Sequence, residues 1–324
     1  MSGLGLDAIS SEVQNRITAL ARSAAAGGVV TTQIPALRNL DPRKFGVAVA
    51  TSDGDTITFG DAHEPFSLQS ISKVFALCAL VSLDAGAWSR IGWGPSAHHH
   101  NSVAGLDLEP RPANPFVNAG AISVTGRLHV LAGGASAAVQ SILRSQVGPE
   151  LPGEVGPGAT GKDTQACSDG WQIDELVAAS ESATSHRNRA IAHLLADSGV
   201  LQCDPDAVLQ DYFRQCAIGG SVRDLALASL FLADAEDRFR VLPRGERRRV
   251  NSVLLMSGTY GAAADVSFRI GLPAKSAISG AIVAVAPGKG SIVVWSPPLD
   301  EHGNSSGALA ALTELVTVLD WSIF

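Results

Sequence analysis

Two β-hairpin signatures, one near each end of the chain with long helical stretches between them, constrain the fold more than any other feature. The first is Phe45-Gly46-Val47-Ala48-Val49-Ala50, then Asp53-Gly54, then Thr56-Ile57-Thr58-Phe59. The Asp-Gly pair supplies the positive φ that such a turn requires. The second joins Ala281-Ile282-Val283-Ala284-Val285 to Ser291-Ile292-Val293-Val294-Trp295 through Pro287-Gly288-Lys289-Gly290, and a helix rich in Leu309, Leu312, Leu315 and Leu319 follows. Leu6, Ile9, Val13, Ile17 and Leu20 recur at helical spacing, so residues 5–25 read as an amphipathic helix stopped by Gly27-Gly28. From about 70 to 265 helical periods prevail. This order predicts an α+β fold: an antiparallel sheet formed by N- and C-terminal segments, flanked by helices, with an inserted helical lobe. The expected organisation is one domain over 1–324, with a sheet lobe at about 1–65 and 266–324 and a helical lobe at about 66–265. Gly133-Gly134-Ala135-Ser136-Ala137-Ala138 and the loop 152–170 read as flexible, and neither reads as an interdomain linker.

With 324 residues, 46% hydrophobic and 17% charged, the chain can bury a sizeable core. A formal net charge of −7 argues against nucleic-acid and anionic-membrane partners, because phosphate surfaces reward basic faces. Small molecules are the expected clients. Cys78, Cys167, Cys203 and Cys216 show no CxxC spacing and read as free thiols of a reducing compartment. The segment Met1 to Asp7 lacks a basic region followed by an apolar one, and no uncharged apolar stretch reaches the ~18 residues of a membrane span. The expected location is cytoplasmic.

Chemistry enters with the lysines. Two of the five, Lys73 and Lys275, each sit beside serines, in Ser70-Ile71-Ser72-Lys73 and Lys275-Ser276. Lys73 opens the apolar run Val74 to Leu83, which reads as a buried helix ending near Asp84. Positions i and i+3 share a helix face, so Ser70 Oγ and Lys73 Nζ can meet at its first turn. Holding an amine neutral at pH 7 against an ordinary pKa of about 10.4 takes about 4.6 kcal/mol of desolvation and neighbouring charge. A neutral amine beside a hydroxyl is a general base, and Ser70 then becomes a nucleophile. The pair taken alone equally reads as a capping serine and a snorkelling lysine.

Serine, lysine one turn on, and a late lysine-serine pair leading into a strand form the pattern of the serine β-lactamase/transpeptidase-like fold. Within it the chain resembles the bacterial serine-dependent glutaminases over essentially its whole length. The matching blocks are Phe66 to Lys73, Asn114 to Ile122, Glu181 through Arg187-Asn188, Tyr212-Phe213, Gly258-Thr259-Tyr260, Gly271 to Ser276, and Trp295 to Asp300. The resemblance implies hydrolysis of L-glutamine to L-glutamate and ammonia through a γ-glutamyl ester on Ser70. Lys73 takes the serine proton, and Tyr260 relays a proton to the departing nitrogen. Backbone N–H groups of Ser70 and of Ile278, on the strand after Lys275, hold the oxyanion. For the substrate, the resemblance offers Glu181 to the α-ammonium, Asn118, Asn188 and Tyr212 to the α-carboxylate, and Gln69 to neighbouring hydrogen bonds. Both tyrosines of the chain, Tyr212 and Tyr260, fall on these positions. No metal or organic cofactor is implied, and a homodimer or homotetramer is. The chain carries Gln33 before Ile34-Pro35 where the family usually has a tyrosine, Ala277-Ile278-Ser279 after the second lysine, and Ala183 where many relatives have an acid.

Competing signals carry less. Gly156 to Asp163 approaches a P-loop, but Asp163 stands where the Mg²⁺-binding hydroxyl belongs and no apolar strand precedes it. His98-His99-His100 reads as a surface loop, since consecutive residues do not place three imidazoles around one ion. Arg238, Arg240, Arg244, Arg247, Arg248 and Arg249 read as a solvated face leading toward Tyr260. Ser72 and Ser276 are rival nucleophiles, but Ser72 lies about 200° around the helix from Ser70. Two other functions stay open: a non-catalytic glutamine-binding sensor, and another serine-lysine amidase of the same fold.

Overall fold

Period-two alternation along the strands decides how the sheet is covered on both faces. The computed structural model describes residues 5–104, 106, 109–146 and 170–324. The P-loop-like segment 156–163, Cys167 and all but the last residue of the loop 152–170 lie outside them. The strands are β1 (Gly46–Thr51), β2 (Thr56–Gly60), β3 (Phe66–Ser67), β4 (Gly219–Gly220), β5 (Ala274–Ser276), β6 (Ala281–Ala286) and β7 (Gly290–Trp295). Five of them form one antiparallel sheet in the order β2-β1-β7-β6-β5. The early hairpin therefore pairs with the late one, Val47 opposite Val294 and Val49 opposite Ile292.

Val47, Val49, Ile282, Ala284, Ile292 and Val294 face one core with Ile17, Ala21, Leu312 and Leu315 from the terminal helices Ser11–Ala25 and Ser306–Leu319. Ala48, Ala50, Val283, Val285, Val293 and Trp295 face the other core with Phe75, Leu225 and Phe231 of the helical lobe. Ala48 and Ala50, small residues on one face of β1, let the helix Val222–Ala228 approach closely on that side. Trp295 also stacks on Phe66, ring centres 5.5 Å apart, which ties the sheet to the short β3–β4 pair. The early turn uses Gly54 at φ 96 and the late one Gly288 at φ 77, both in the left-handed region that glycine enters without penalty.

Three local readings are corrected. The first helix is a 3₁₀ turn, Leu6–Ala8, then an α-helix capped by Ser10. Gly133-Gly134 forms a tight link between the helices Asn118–Ala132 and Ala135–Gln146, pinned by Asp211, which accepts from Ser136 N at 3.0 Å and Ser136 Oγ at 2.6 Å. The arginine cluster is only partly solvated. Arg247 is buried between Asp237 (2.7 Å) and Asp234 (3.9 Å), and Arg249 lies over the rings of Trp88 and Trp93. No helix among the described residues is long and apolar enough to cross a membrane.

Candidate active site

The apolar helix runs from Ser72 to Leu83, with Ser70 in the 3₁₀ turn Gln69–Ile71 that leads into it. The sequence places Ser70 in the first α-helical turn, and the reason for the difference is Gln69, which adopts φ 47. A non-glycine residue in that region costs free energy and persists only where its surroundings hold it. Here Gln69 is held by its own amide, which donates to Ser67 Oγ at 3.0 Å, while Ser67 donates to the Cys216 carbonyl at 3.0 Å and lies in β3 against β4. The bend leaves Ser70 half-buried while Gln69, Ile71 and Ser72 are buried.

Lys73 is 1% exposed. Its amine donates to Asn118 Oδ1 at 2.8 Å and to the Phe116 carbonyl at 3.2 Å, and Asn118 Nδ2 donates in turn to Asn188 Oδ1 at 2.8 Å. Burial pushes the Lys73 amine down to about 8, opposed by the neighbouring Cys216 and Glu181 side chains, which favour its protonated form. Ser70 hydrogen-bonds the Tyr260 phenol, which also donates to the Ser276 carbonyl at 3.4 Å. Burial raises that phenol to about 12, so it keeps its proton at neutral pH. Tyr260 is a second left-handed residue, φ 56. Lys275, fully buried on β5, holds it from one side: its amine lies 4.1 Å from the phenol ring centre and donates to the carbonyls of Gly258 (2.9 Å) and Ser276 (2.7 Å). Burial, then Lys73, drives the Lys275 amine well below its ordinary range.

Glu181 is buried on the helix Glu175–Thr184, and its Oε2 has no hydrogen-bond partner. Burial raises its carboxyl to about 8, opposed by Lys73 and by a hydrogen bond from Gln69. Tyr212, also buried, lies within electrostatic reach of Glu181 and Tyr260, and burial pushes its phenol far up. Ile278 sits in the turn after β5, not on a strand: Gly280 N donates to the Ala277 carbonyl at 3.0 Å, and Trp295 Nε1 fixes the turn through the Ser279 carbonyl at 3.0 Å. The Ile278 side chain packs with Ile34, Leu37, Val177 and Ala178, beside the helix that carries Glu181. Neither the Ser70 nor the Ile278 backbone N–H meets a backbone acceptor among the described residues.

All nine residues singled out in the sequence thus fall around one cluster of groups drawn from both lobes. The rival serines are committed elsewhere or sealed off. Ser72 Oγ donates to the Gln69 carbonyl at 2.7 Å and accepts from Gln215 at 3.2 Å, and Ser276 is fully buried.

A family model described as Glutaminase matches residues 28–149 and 161–324. The chain belongs to the glutaminase family. A glutaminase of Streptomyces coelicolor is 42% identical over 297 residues, which cover 90% of each chain. Among solved structures, a probable glutaminase, YbaS, superposes with a TM-score of 0.79 at 30% identity, covering 96% of this chain and 98% of its own. The Bacillus subtilis glutaminase YbgJ, in a covalent complex with 5-oxo-L-norleucine, gives a TM-score of 0.80 at 28% identity, covering 97% and 99%. The fold is accordingly that of the β-lactamase-like glutaminases. As a family member the chain is an amidohydrolase that acts on glutamine.

The sequence reading missed two participants. The surface-loop expectation for His98-His99-His100 holds for the first two alone. His98 and His99 are exposed, but the half-buried His100 ring lies 4.4 Å from that of Tyr260. Gly258 supplies the carbonyl that holds Lys275, and a Cβ there would come within 1.8 Å of the Ala274 carbonyl oxygen. A block containing Gly258 was recognised, but nothing in the sequence signalled what its backbone does. Among the described residues no group of His, Cys, Asp and Glu could hold a metal ion.

Proposed function

We propose that this member of the family hydrolyses the side-chain amide of L-glutamine through a γ-glutamyl ester on Ser70. The unpartnered, buried Glu181 carboxylate oxygen beside the Ser70–Tyr260–Lys73 cluster carries the reading, because a free carboxylate there fits the α-ammonium of an amino acid. Asn118, Asn188 and Tyr212 face the α-carboxylate with neutral donors. Ser70 Oγ attacks the amide carbon as its proton passes to Lys73, and the negative oxygen is held by the Ser70 and Ile278 N–H groups. When the tetrahedral intermediate collapses, the C–N bond breaks and Tyr260 gives the nitrogen a proton, which Lys73 replaces. Ammonia leaves. Water then attacks the ester, its proton passes to Lys73 and on to Ser70 Oγ, and glutamate departs. The two lobes, 1–65 with 266–324 and 66–265, form one catalytic domain. The protein works in the cytoplasm as a homodimer or homotetramer.

The base works only when neutral, so its contribution is present above the Lys73 pKa of about 8 and lost as pH falls through it. Glu181 must be ionised to hold an ammonium, and its pKa of about 8 gives the same sign. Ammonia release from the purified protein is expected to show kcat/KM for glutamine rising at least about tenfold per pH unit between about 6 and 7.5, and levelling only above about 8. A flat profile over that range contradicts the assigned roles of both groups.

A further inference from the structure

His100 belongs to a loop that is built, not loose. Ser96 Oγ donates to the His98 carbonyl at 3.0 Å, Ser102 N donates to the His99 carbonyl at 2.9 Å, and His99 Nδ1 lies 2.8 Å from Asn101 Oδ1. The His100 carbonyl accepts from the backbone N–H of Asn118 at 2.7 Å, at the start of the helix whose first side chain partners Lys73. The His100 imidazole meanwhile lies between two aromatic neighbours, 4.1 Å from the His99 ring centre and 4.4 Å from that of Tyr260, tilted 36° to the phenol. One residue therefore touches two parts of the machinery, through its main chain and through its ring.

The phenol needs such a neighbour. Tyr260 has a left-handed backbone, is half-buried, and among the described residues its hydroxyl makes a 3.4 Å bond to Ser276 besides the one to Ser70. Lys275 stands 4.1 Å from the ring centre, but an amine does not define the tilt of a flat ring. A second flat ring in contact does. The imidazole adds no charge in doing so, since burial and the nearby Lys73, His99 and Lys275 push it down to about 3.

We propose that His100 is a positioning residue: its ring fixes the orientation of the Tyr260 phenol against Ser70, and its carbonyl sets the start of the helix that presents Asn118 to Lys73. The inference rests on Tyr260 acting in proton transfer, and loss or retention of activity in Tyr260→Phe alone reports on that assignment separately.

The test is steady-state ammonia release from the full chain with glutamine. His100→Ala is expected to lower kcat about 3- to 10-fold, the worth of one aromatic pair, with KM unchanged within about twofold. His100→Phe, which keeps a flat ring, is expected to recover at least about half of the wild-type kcat. His100→Leu keeps apolar volume without the flat ring, reproduces the loss, and serves if the alanine variant does not fold. In a Tyr260→Phe background the alanine change should cost nothing further, because the hydroxyl to be positioned is gone. An unchanged kcat in both His100→Ala and His100→Leu would overturn the proposal. So would a folded His100→Phe no faster than His100→Leu, or a loss that multiplies onto that of Tyr260→Phe.

Discussion

Ser70→Ala is expected to reduce glutamine turnover by about 10⁴-fold or more while leaving glutamine binding nearly intact. The ester cannot form without Oγ, and no other hydroxyl can replace it. Ser72 is tied to the Gln69 carbonyl and Gln215, and Ser276 is sealed in the core. The substrate contacts assigned to Glu181, Asn118, Asn188 and Tyr212 involve other side chains, so calorimetric binding should change by less than about 1 kcal/mol. The bend at Gln69 is secured by Ser67 and β4, so the turn survives the loss of one oxygen. Ammonia release within about a hundredfold of wild type would remove Ser70 from the nucleophile's role. Binding without turnover in the unsubstituted protein would instead favour a sensor.

Lys73→Met should lower kcat by roughly 10²- to 10⁴-fold, the usual worth of a positioned base, because it keeps the length and apolar stem of the side chain and removes only the amine. Its effect on stability should be small. Desolvation of the amine, the cause of its lowered pKa, is relieved. Against this, Asn118 Oδ1 and the Phe116 carbonyl each lose a donor, at about 1–3 kcal/mol for a buried acceptor. The two offset to within about 2 kcal/mol in urea unfolding. An inactive variant with near-normal stability marks a residue kept for chemistry. Retained kcat would shift the base's role to another group, and a collapse of stability would make Lys73 chiefly structural.

How far these features could be read from the sequence depended on how local their causes are. Both hairpins were legible, because alternation over five or six residues and a turn glycine are local signals, and their pairing followed from the helices between them. β5 and the β3–β4 pair were not, since two or three residues cannot display a period. Ser70 and Lys73 were legible as a pair, but the 3₁₀ bend was not: glutamine has no preference for φ 47, and it is held there by side-chain bonds to Ser67 and Glu181, Ser67 itself being anchored on the Cys216 carbonyl. Arg247 was misread because a run of arginines normally faces water, and the carboxylates that draw it inward, Asp234 and Asp237, lie outside its helix. His100 gave no signal at all. Its role depends on a loop folding back on Tyr260, some 160 residues along the chain.

The central claim is that Ser70 Oγ forms the covalent bond to substrate. Its most direct test is peptide mass spectrometry after incubation with 6-diazo-5-oxo-L-norleucine, an electrophile with a glutamine-like frame. One adduct per chain is expected, on Ser70 by fragmentation, with loss of activity in proportion and protection by glutamine. Labelling confined to Ser72, Ser276 or Cys216, or inactivation with Ser70 unmodified, would contradict it.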